Sequence, residues 1–429
     1  MSATSVPART TAPAPKKKGL AALLGPGLLT GASDDDPSGI GTYSQVGARY
    51  GTGMLWTLVF SYPLMVAVQL VCARIGRVTG KGLAGNLREL VPRWALWPLI
   101  ALLLGANTIN IGADLGAMGA SVQLLAGGEA AWYTLAFGVV SVVAEVFIPY
   151  HRYVGVLRWL TLALLAYVAT VFVVQVPWTR VLHDTLLPRI ALDRDSVTSI
   201  VAIFGTTISP YLFFWQASQE VEDLDACAED RPLREAPQQA TAQLQRIGVD
   251  TALGMGVSNL VAFFIMLTAA ATLHAHGVRD IDSAARTAEA LRPLAGPFAF
   301  ALFALGVVGT GLIAVPVLAG ASAYAVAETM HWPAGLERAP LRARGFYAVI
   351  AIATLAGTAM NFVHVNPIRA LYWTAVINGV IAVPMLAAIL VLASRKRTMG
   401  RFAVSGMLRA AGWLTAAVMA ACVVAMAVV

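Results

Sequence analysis

Gly25-Pro26-Gly27-Leu28-Leu29-Thr30-Gly31-Ala32-Ser33-Asp34-Asp35-Asp36-Pro37-Ser38-Gly39-Ile40-Gly41 lies inside the first long apolar segment of the chain, about residues 20–49, and places three carboxylates halfway along it. Each Asp at the centre of a bilayer costs about 2.5–3.5 kcal/mol even on a lenient scale. Three in a row cannot face lipid as anions, so they must face a hydrated, protein-lined cavity or an ion. Asp36-Pro37 has the pattern of an N-cap followed by a first-turn proline, which restarts a helix. One Asp would serve as a cap, so three call for a further reason. A broken helix also frees backbone carbonyls that need partners, and a cation is one such partner.

The chain around this break is a membrane protein by composition. It has 429 residues, 58% hydrophobic and 12% charged, with mean hydropathy +0.71. A soluble domain carries about 25% charged residues. Eleven apolar segments approach the ~20 residues that span a bilayer: about 20–49, 53–73, 94–125, 131–149, 153–174, 197–219, 247–273, 294–327, 345–363, 367–394 and 408–429. Backbone groups in lipid must be satisfied internally, so these segments are expected to be helices and the fold all-α and polytopic. Residues 1–19, Ala/Pro/Thr/Ser-rich and ending in Lys16-Lys17-Lys18, are expected to be a disordered tail, with no signal-peptide pattern. With that tail cytoplasmic, 22 of the 30 Lys and Arg fall on the inner side, including Arg74, Arg77, Arg152, Arg158 and Arg246. The bias predicts a multi-pass plasma-membrane protein with its N-terminus inside and its C-terminus outside. The net charge of +7 is thereby a topology signal, and nucleic-acid binding is not expected. Cys72, Cys227, Cys422 and six scattered His have no metal-ligand spacing, so no cofactor is expected.

A second interruption falls in the sixth segment, Ile203-Phe204-Gly205-Thr206-Thr207-Ile208-Ser209-Pro210-Tyr211. A mid-helix proline removes one hydrogen bond and clashes with the preceding turn. The Gly, Thr and Ser before it allow unwinding and offer oxygens, although a simple kink capped by its own Ser/Thr would use the same residues. Position decides between these readings. Segments 1 and 6 open two five-helix halves, about 20–175 and 197–395, and paired interruptions in two halves mark the substrate site of inverted-repeat transporters. The expected organisation is a transport domain over 20–400 and an additional helix over 401–429. Asp114 is a relay candidate or a polar partner of segment 1, and Asn378-Gly379 a cavity or packing element. The acidic run Glu220, Glu222, Asp223, Asp225, Glu229 and Asp230 is expected to be solvated surface, and most glycines are expected to serve close helix packing.

These residues resemble the Nramp divalent-metal transporters. Gly25-Pro26-Gly27 with Asp36-Pro37-Ser38-Gly39 is similar to that family's first-helix pattern ending in Asp-Pro-Gly-Asn, Arg74-Ile75-Gly76-Arg77-Val78-Thr79-Gly80 follows in place, and Ser209-Pro210-Tyr211-Leu212 takes the position of Met-Pro-His-Asn. The resemblance implies a LeuT-like fold, two inverted five-helix repeats plus one helix. It also implies that Asp36 is the chief metal ligand. The departures matter as much. The family's Asn is Gly39, its Met is Ser209, its preceding Ala is Thr206, its sixth-helix histidines are Tyr211 and Gln216, and its third-helix Asp-x-x-Glu is Asp114-Leu115-Gly116-Ala117. An oxygen-only site without thioether suits Mg²⁺ or Mn²⁺, and Mg²⁺ keeps several waters. The pattern looks like the Nramp-related magnesium-transporter branch.

The expected function is uptake of a divalent cation with part of its water shell, Mg²⁺ favoured and Mn²⁺ also carried, without proton coupling. Asp36 would be the chief ligand, with hydroxyl or carbonyl oxygens from Thr206, Ser209 and Ser33. Gly39 would leave room for water, and Asp35 an outer contact. The alternative is a proton-coupled Mn²⁺/Fe²⁺ transporter of the ordinary Nramp type, and a LeuT-like symporter of an organic solute stands further off. No G-x-S-x-G or H-E-x-x-H motif points to an enzyme. The expected partners are the ion and the lipid bilayer, with no obligatory protein partner.

Overall fold

The computed structural model describes residues 26–148, 160–189, 191–227, 229–363 and 366–429. The expected tail at 1–19 with Lys16–Lys18, Gly25, Arg152 and Arg158 lie outside the described residues. The first apolar segment is two helices, α1 (Pro26–Asp34) and α2 (Pro37–Tyr50). Then come α3 (Trp56–Thr79), a short α4 (Leu83–Leu90), α5 (Arg93–Ala126) and α6 (Ala130–Phe147). The fifth segment is described from Leu160 and contains α7 (Leu165–Val173), followed across a 119° bend by α8 (Trp178–Leu186). The sixth segment is α9 (Arg194–Thr207) and α10 (Pro210–Ala226). The remaining long helices are α11 (Ala240–Thr272), α12 (Ala299–Met330), α13 (Arg344–Met360), α14 (Pro367–Ser394) and α15 (Gly406–Val428). Eight of these stretches, counting α9–α10 as one, are long and apolar enough to cross a membrane alone. The α1–α2 pair falls in the first expected segment and the 17-residue α13 in the ninth; of the fifth, 153–174, only the part from Leu160 is described, with α7 inside it and α8 beyond its end.

Both breaks fall where expected, for different local reasons. Asp36 is extended at the N-cap of α2, its side chain accepts the Gly39 amide, and Pro37 fills the first helical position. In the sixth segment Ile208 leaves helical geometry and Pro210 opens α10, while Ser209 donates back to the carbonyls of Gly205 and Thr206. A proline alone does not produce such a break: Pro63, Pro98, Pro316 and Pro384 all sit inside continuous helices.

Packing reveals the two halves. The broken α1–α2 pair lies along α11, the second span of the other half, and α9–α10 lies along α3, the second span of the first half. The exchange repeats further out, where α5 packs on α14 and α12 packs on the fifth segment. This is the LeuT-like arrangement, with α15 appended against α14 and α3. Small residues set the closest approaches. A Cβ on Gly31 would fall onto the backbone of Gly254 in α11, and one on Gly205 onto Ala375 and Gly379 in α14. The α1 terminus is fixed from the same helix, because Gly27 N donates to Asp250 Oδ2 at 2.6 Å.

Candidate functional site

The break in α1–α2 meets the break in α9–α10 inside the bundle, and the expected site residues are there. Ser33, Asp34, Asp35, Asp36, Thr206 and Ser209 are all buried, Asp35 being the most exposed at 6%. The site is thus closed to both faces of the protein. Tyr211, on the first turn of α10, donates its hydroxyl to the Ser33 carbonyl at 3.2 Å, so one broken helix holds the other at the freed carbonyl. Thr206 and Gly39 face one another: a Cβ on Gly39 would lie 3.3 Å from Thr206 Cγ2 and 3.3 Å from the Tyr43 ring. The space expected beside Gly39 is therefore filled in this closed state by movable side chains. The hydroxyls of Thr206 and Ser209 are turned onto backbone carbonyls of α9.

The three aspartates diverge. Asp36 Oδ1 accepts from Ser38 Oγ at 2.6 Å and Gly39 N at 2.7 Å, a saturated N-cap. Its Oδ2 points to α5, where Asn110 Nδ2 donates at 3.0 Å. Asp34 and Asp35 point the other way and share one hydroxyl, Ser258 of α11, at 2.7 and 3.2 Å. Asp35 therefore belongs with Asp34 rather than with the Asp36 carboxylate. Among the described residues no three His, Cys, Asp or Glu side chains converge as a metal cage. Asp114 joins the site indirectly, because Asn110 Nδ2 also donates to its Oδ2 at 3.2 Å. Gln216 accepts from Thr30 Oγ1 at 2.6 Å, a second tie between α1 and α10.

Sequence reasoning missed Asn110, Ser258 and Thr30. Their only linear signal was a polar residue in an apolar helix, and their partners lie 74, 224 and 186 positions away.

The acidic run after Pro210 is a correction. Glu220, Glu222, Asp223 and Asp225 lie on the last turns of α10, and most of the run is engaged rather than solvated. Arg77, fully buried, pairs with Asp223 at 3.0 Å and with Asp230. Arg246 pairs with Glu220 at 2.7 Å. Glu222 accepts from Tyr324 Oη at 2.6 Å and Leu336 N at 3.0 Å, and Glu328 accepts from Gly85 N at 2.9 Å. A cavity of about 290 Å³ lies here, lined by Lys81, Arg88, Glu222, Tyr324, Glu328 and Arg338. On the opposite face Arg49 of α2 pairs with Asp195 of α9, and Ser199 of α9 contacts Tyr372 of α14 at 3.0 Å.

Residues 27–429 match the family described as Natural resistance-associated macrophage protein-like, Nramp. The chain is 29% identical over 399 residues to a protein named Divalent metal cation transporter MntH from Acidiphilium cryptum, covering 90% of this chain and 85% of that one. A protein of the same name from Aeromonas hydrophila is 28% identical over 360 residues, with 80% and 82% coverage. Among solved structures, the Eremococcus coleocola manganese transporter in complex with an aromatic bis-isothiourea substituted compound superposes with TM-score 0.74 at 15% identity, covering 95% of this chain and 87% of that one. Mhp1, a nucleobase-cation-symport-1 family transporter in a closed conformation with bromovinylhydantoin bound, superposes with TM-score 0.56 at 14% identity, covering 94% and 92%. The paired helix breaks, the half-for-half packing and a family match running from α1 to the last residue lead to one assignment: this chain is a multi-pass membrane protein of the Nramp family.

Proposed function

We propose that the protein takes up divalent cations by alternating access, with Mg²⁺ favoured and Mn²⁺ also carried, and without coupling to protons. The observation that carries this reading is the oxygen-only chemistry where the two breaks meet. Asp36 presents one carboxylate oxygen not used by its own helix, and Ser33, Thr206 and Ser209 contribute carbonyls and hydroxyls. Oxygen donors suit hard divalent ions. The relatives' names support a divalent metal as cargo. Asp35, with Asp34, would attract the ion electrostatically from the α11 side. Gly39 would gain its role once Thr206 and Tyr43 move aside, admitting waters that Mg²⁺ gives up reluctantly.

Two features favour uncoupled movement. Tyr211 and Gln216 form hydrogen bonds, to Ser33 and Thr30, in which neither needs to exchange a proton near neutrality. With the Arg77 face cytoplasmic, as the Lys/Arg bias requires, an inside-negative potential of 100 mV contributes about 4.6 kcal/mol per divalent ion. The contacts of Glu222 and Glu328 then form the inner closure, and Arg49–Asp195 with Ser199–Tyr372 the outer one. The second reading, proton-coupled Mn²⁺/Fe²⁺ transport, is favoured by one observation, the retained Asp114 one side chain away from Asp36.

Ion flux into proteoliposomes with and without a pH gradient separates the readings. The expected result is Mg²⁺ and Mn²⁺ entry driven by membrane potential, with no internal acidification. Acidification that tracks Mn²⁺ entry, with Mg²⁺ excluded, would select the second.

A further inference from the structure

Asn110 of α5 is completely buried and touches the site at the Asp36 oxygen that the α2 cap leaves free. Both N–H bonds of its amide are directed at carboxylates on different helices, Asp36 Oδ2 at 3.0 Å and Asp114 Oδ2 at 3.2 Å. An amide oxygen in that place would meet two acceptors, so the nitrogen must face them. Because Asp36 Oδ1 is saturated by Ser38 and Gly39, Oδ2 is the oxygen available to a cation, and Asn110 occupies it in the closed molecule. The remaining oxygens on this face are unused. Asn107 Oδ1, Asn110 Oδ1 and Asp114 Oδ1 are all buried without a hydrogen-bond partner, at spacing i, i+3, i+7 along α5. Asn107 turns its Nδ2 to Leu318 O and Ser322 Oγ of α12, and the Ser38 backbone amide reaches the Asp114 carboxyl, so Asn110 Oδ1 is the buried acceptor beside Asp36 that calls for a donor. Water bound to a cation is such a donor.

We propose that Asn110 is a specificity-determining residue of the cation site: it holds Asp36 Oδ2 while the site is empty, and accepts a water of the ion's hydration shell through Oδ1 when the ion arrives. Asp114 Oδ1, one turn along α5, is the next acceptor on the same face. The inference rests on the divalent-cation reading and adds to it the wall that recognises the shell. A neutral amide suits this role, because it accepts from a polarised water without adding a charge that would retain the ion. An ion that enters with more of its water depends on this wall more than one that dehydrates readily, so Mg²⁺ depends on it more than Mn²⁺. The Asp36–Asn110 bond also joins the broken first segment to α5, so its replacement by an ion reports occupancy to the surrounding helices.

The test compares Mg²⁺ and Mn²⁺ uptake by wild type, Asn110→Ala and Asn110→Ser in proteoliposomes, with KM and maximal rate measured for each ion and melting temperatures as a check on folding. Outer-shell partners of metal sites are worth about 10–100-fold in affinity or activity. Asn110→Ala is expected to raise the KM for Mg²⁺ by about tenfold or more and that for Mn²⁺ much less. Asn110→Ser, small and still an acceptor, restores part of the preference and stands in if the alanine variant does not fold. An equal loss for both ions in both variants would show a purely structural bridge and overturn the proposal, as would an unchanged Mg²⁺:Mn²⁺ ratio. Wild-type protein that carries neither ion overturns the transport reading itself, an outcome visible before any variant is compared.

Discussion

Asp36→Asn is expected to abolish Mg²⁺ and Mn²⁺ flux while leaving the protein folded. Asp36 does two jobs that this substitution separates. Its Oδ1 caps α2 through Gly39 N and Ser38 Oγ, and Asn is about as good an N-cap as Asp. The charge of its free Oδ2, which points to α5 and away from Asp34 and Asp35, is lost. A unit charge pair at 4 Å contributes about 4 kcal/mol at an effective dielectric of 20, and a divalent ion doubles it, so losing one carboxylate lowers occupancy by at least about a thousandfold even where desolvation offsets half of the gain. Asp36→Ala removes the cap as well and should add about 0.5–2 kcal/mol of destabilisation. Uptake assays and melting curves on both variants check the separation. Near-normal flux in Asp36→Asn would move the site away from this break.

Gly205→Leu should have the largest effect on folding. At Gly205 the backbone of α9 meets the backbone of α14, and a Cβ there would overlap the Ala375 carbonyl and lie 2.8 Å from Gly379 Cα. Flexible side chains can yield, but two helical backbones cannot without separating α9 from α14. Overpacking of well-packed interiors costs about 1–3 kcal/mol and more where nothing relaxes, a large part of a net stability of about 5–15 kcal/mol. The comparison is Gly105→Leu on α5, where a new Cβ meets nothing within 4 Å. Melting temperature and size-exclusion profile in detergent should fall for Gly205→Leu and hold for Gly105→Leu. Equal behaviour of the two would mean that the α9–α14 contact is not a close one in the folded protein.

The breaks themselves were legible because they are local. Asp36-Pro37 is a cap and a first-turn residue, and the same dipeptide does both in the structure. Pro210 was legible only with its neighbours. Four other prolines leave their helices continuous, whereas Gly205, Thr206 and Ser209 precede Pro210 with oxygens that take up the loosened turn. The acidic run on α10 was misjudged for a related reason. A run of charges looks solvated in one dimension, and Arg77 and Arg246, which neutralise much of it, are 146 and 26 positions from their partners.

The amino-acid sequence by itself determined that this is a helical membrane protein with two broken helices and an acidic centre, since apolar length, proline geometry and the cost of a carboxylate in lipid act within one segment. Only the tertiary structure decided where each carboxylate points. Asp34 and Asp35 turn to Ser258 on α11, Asp36 turns to Asn110 on α5, and Tyr211 reaches the carbonyl of Ser33. Adjacent residues at a chain break leave it in different directions, so their partners are fixed by which helices the two halves bring alongside.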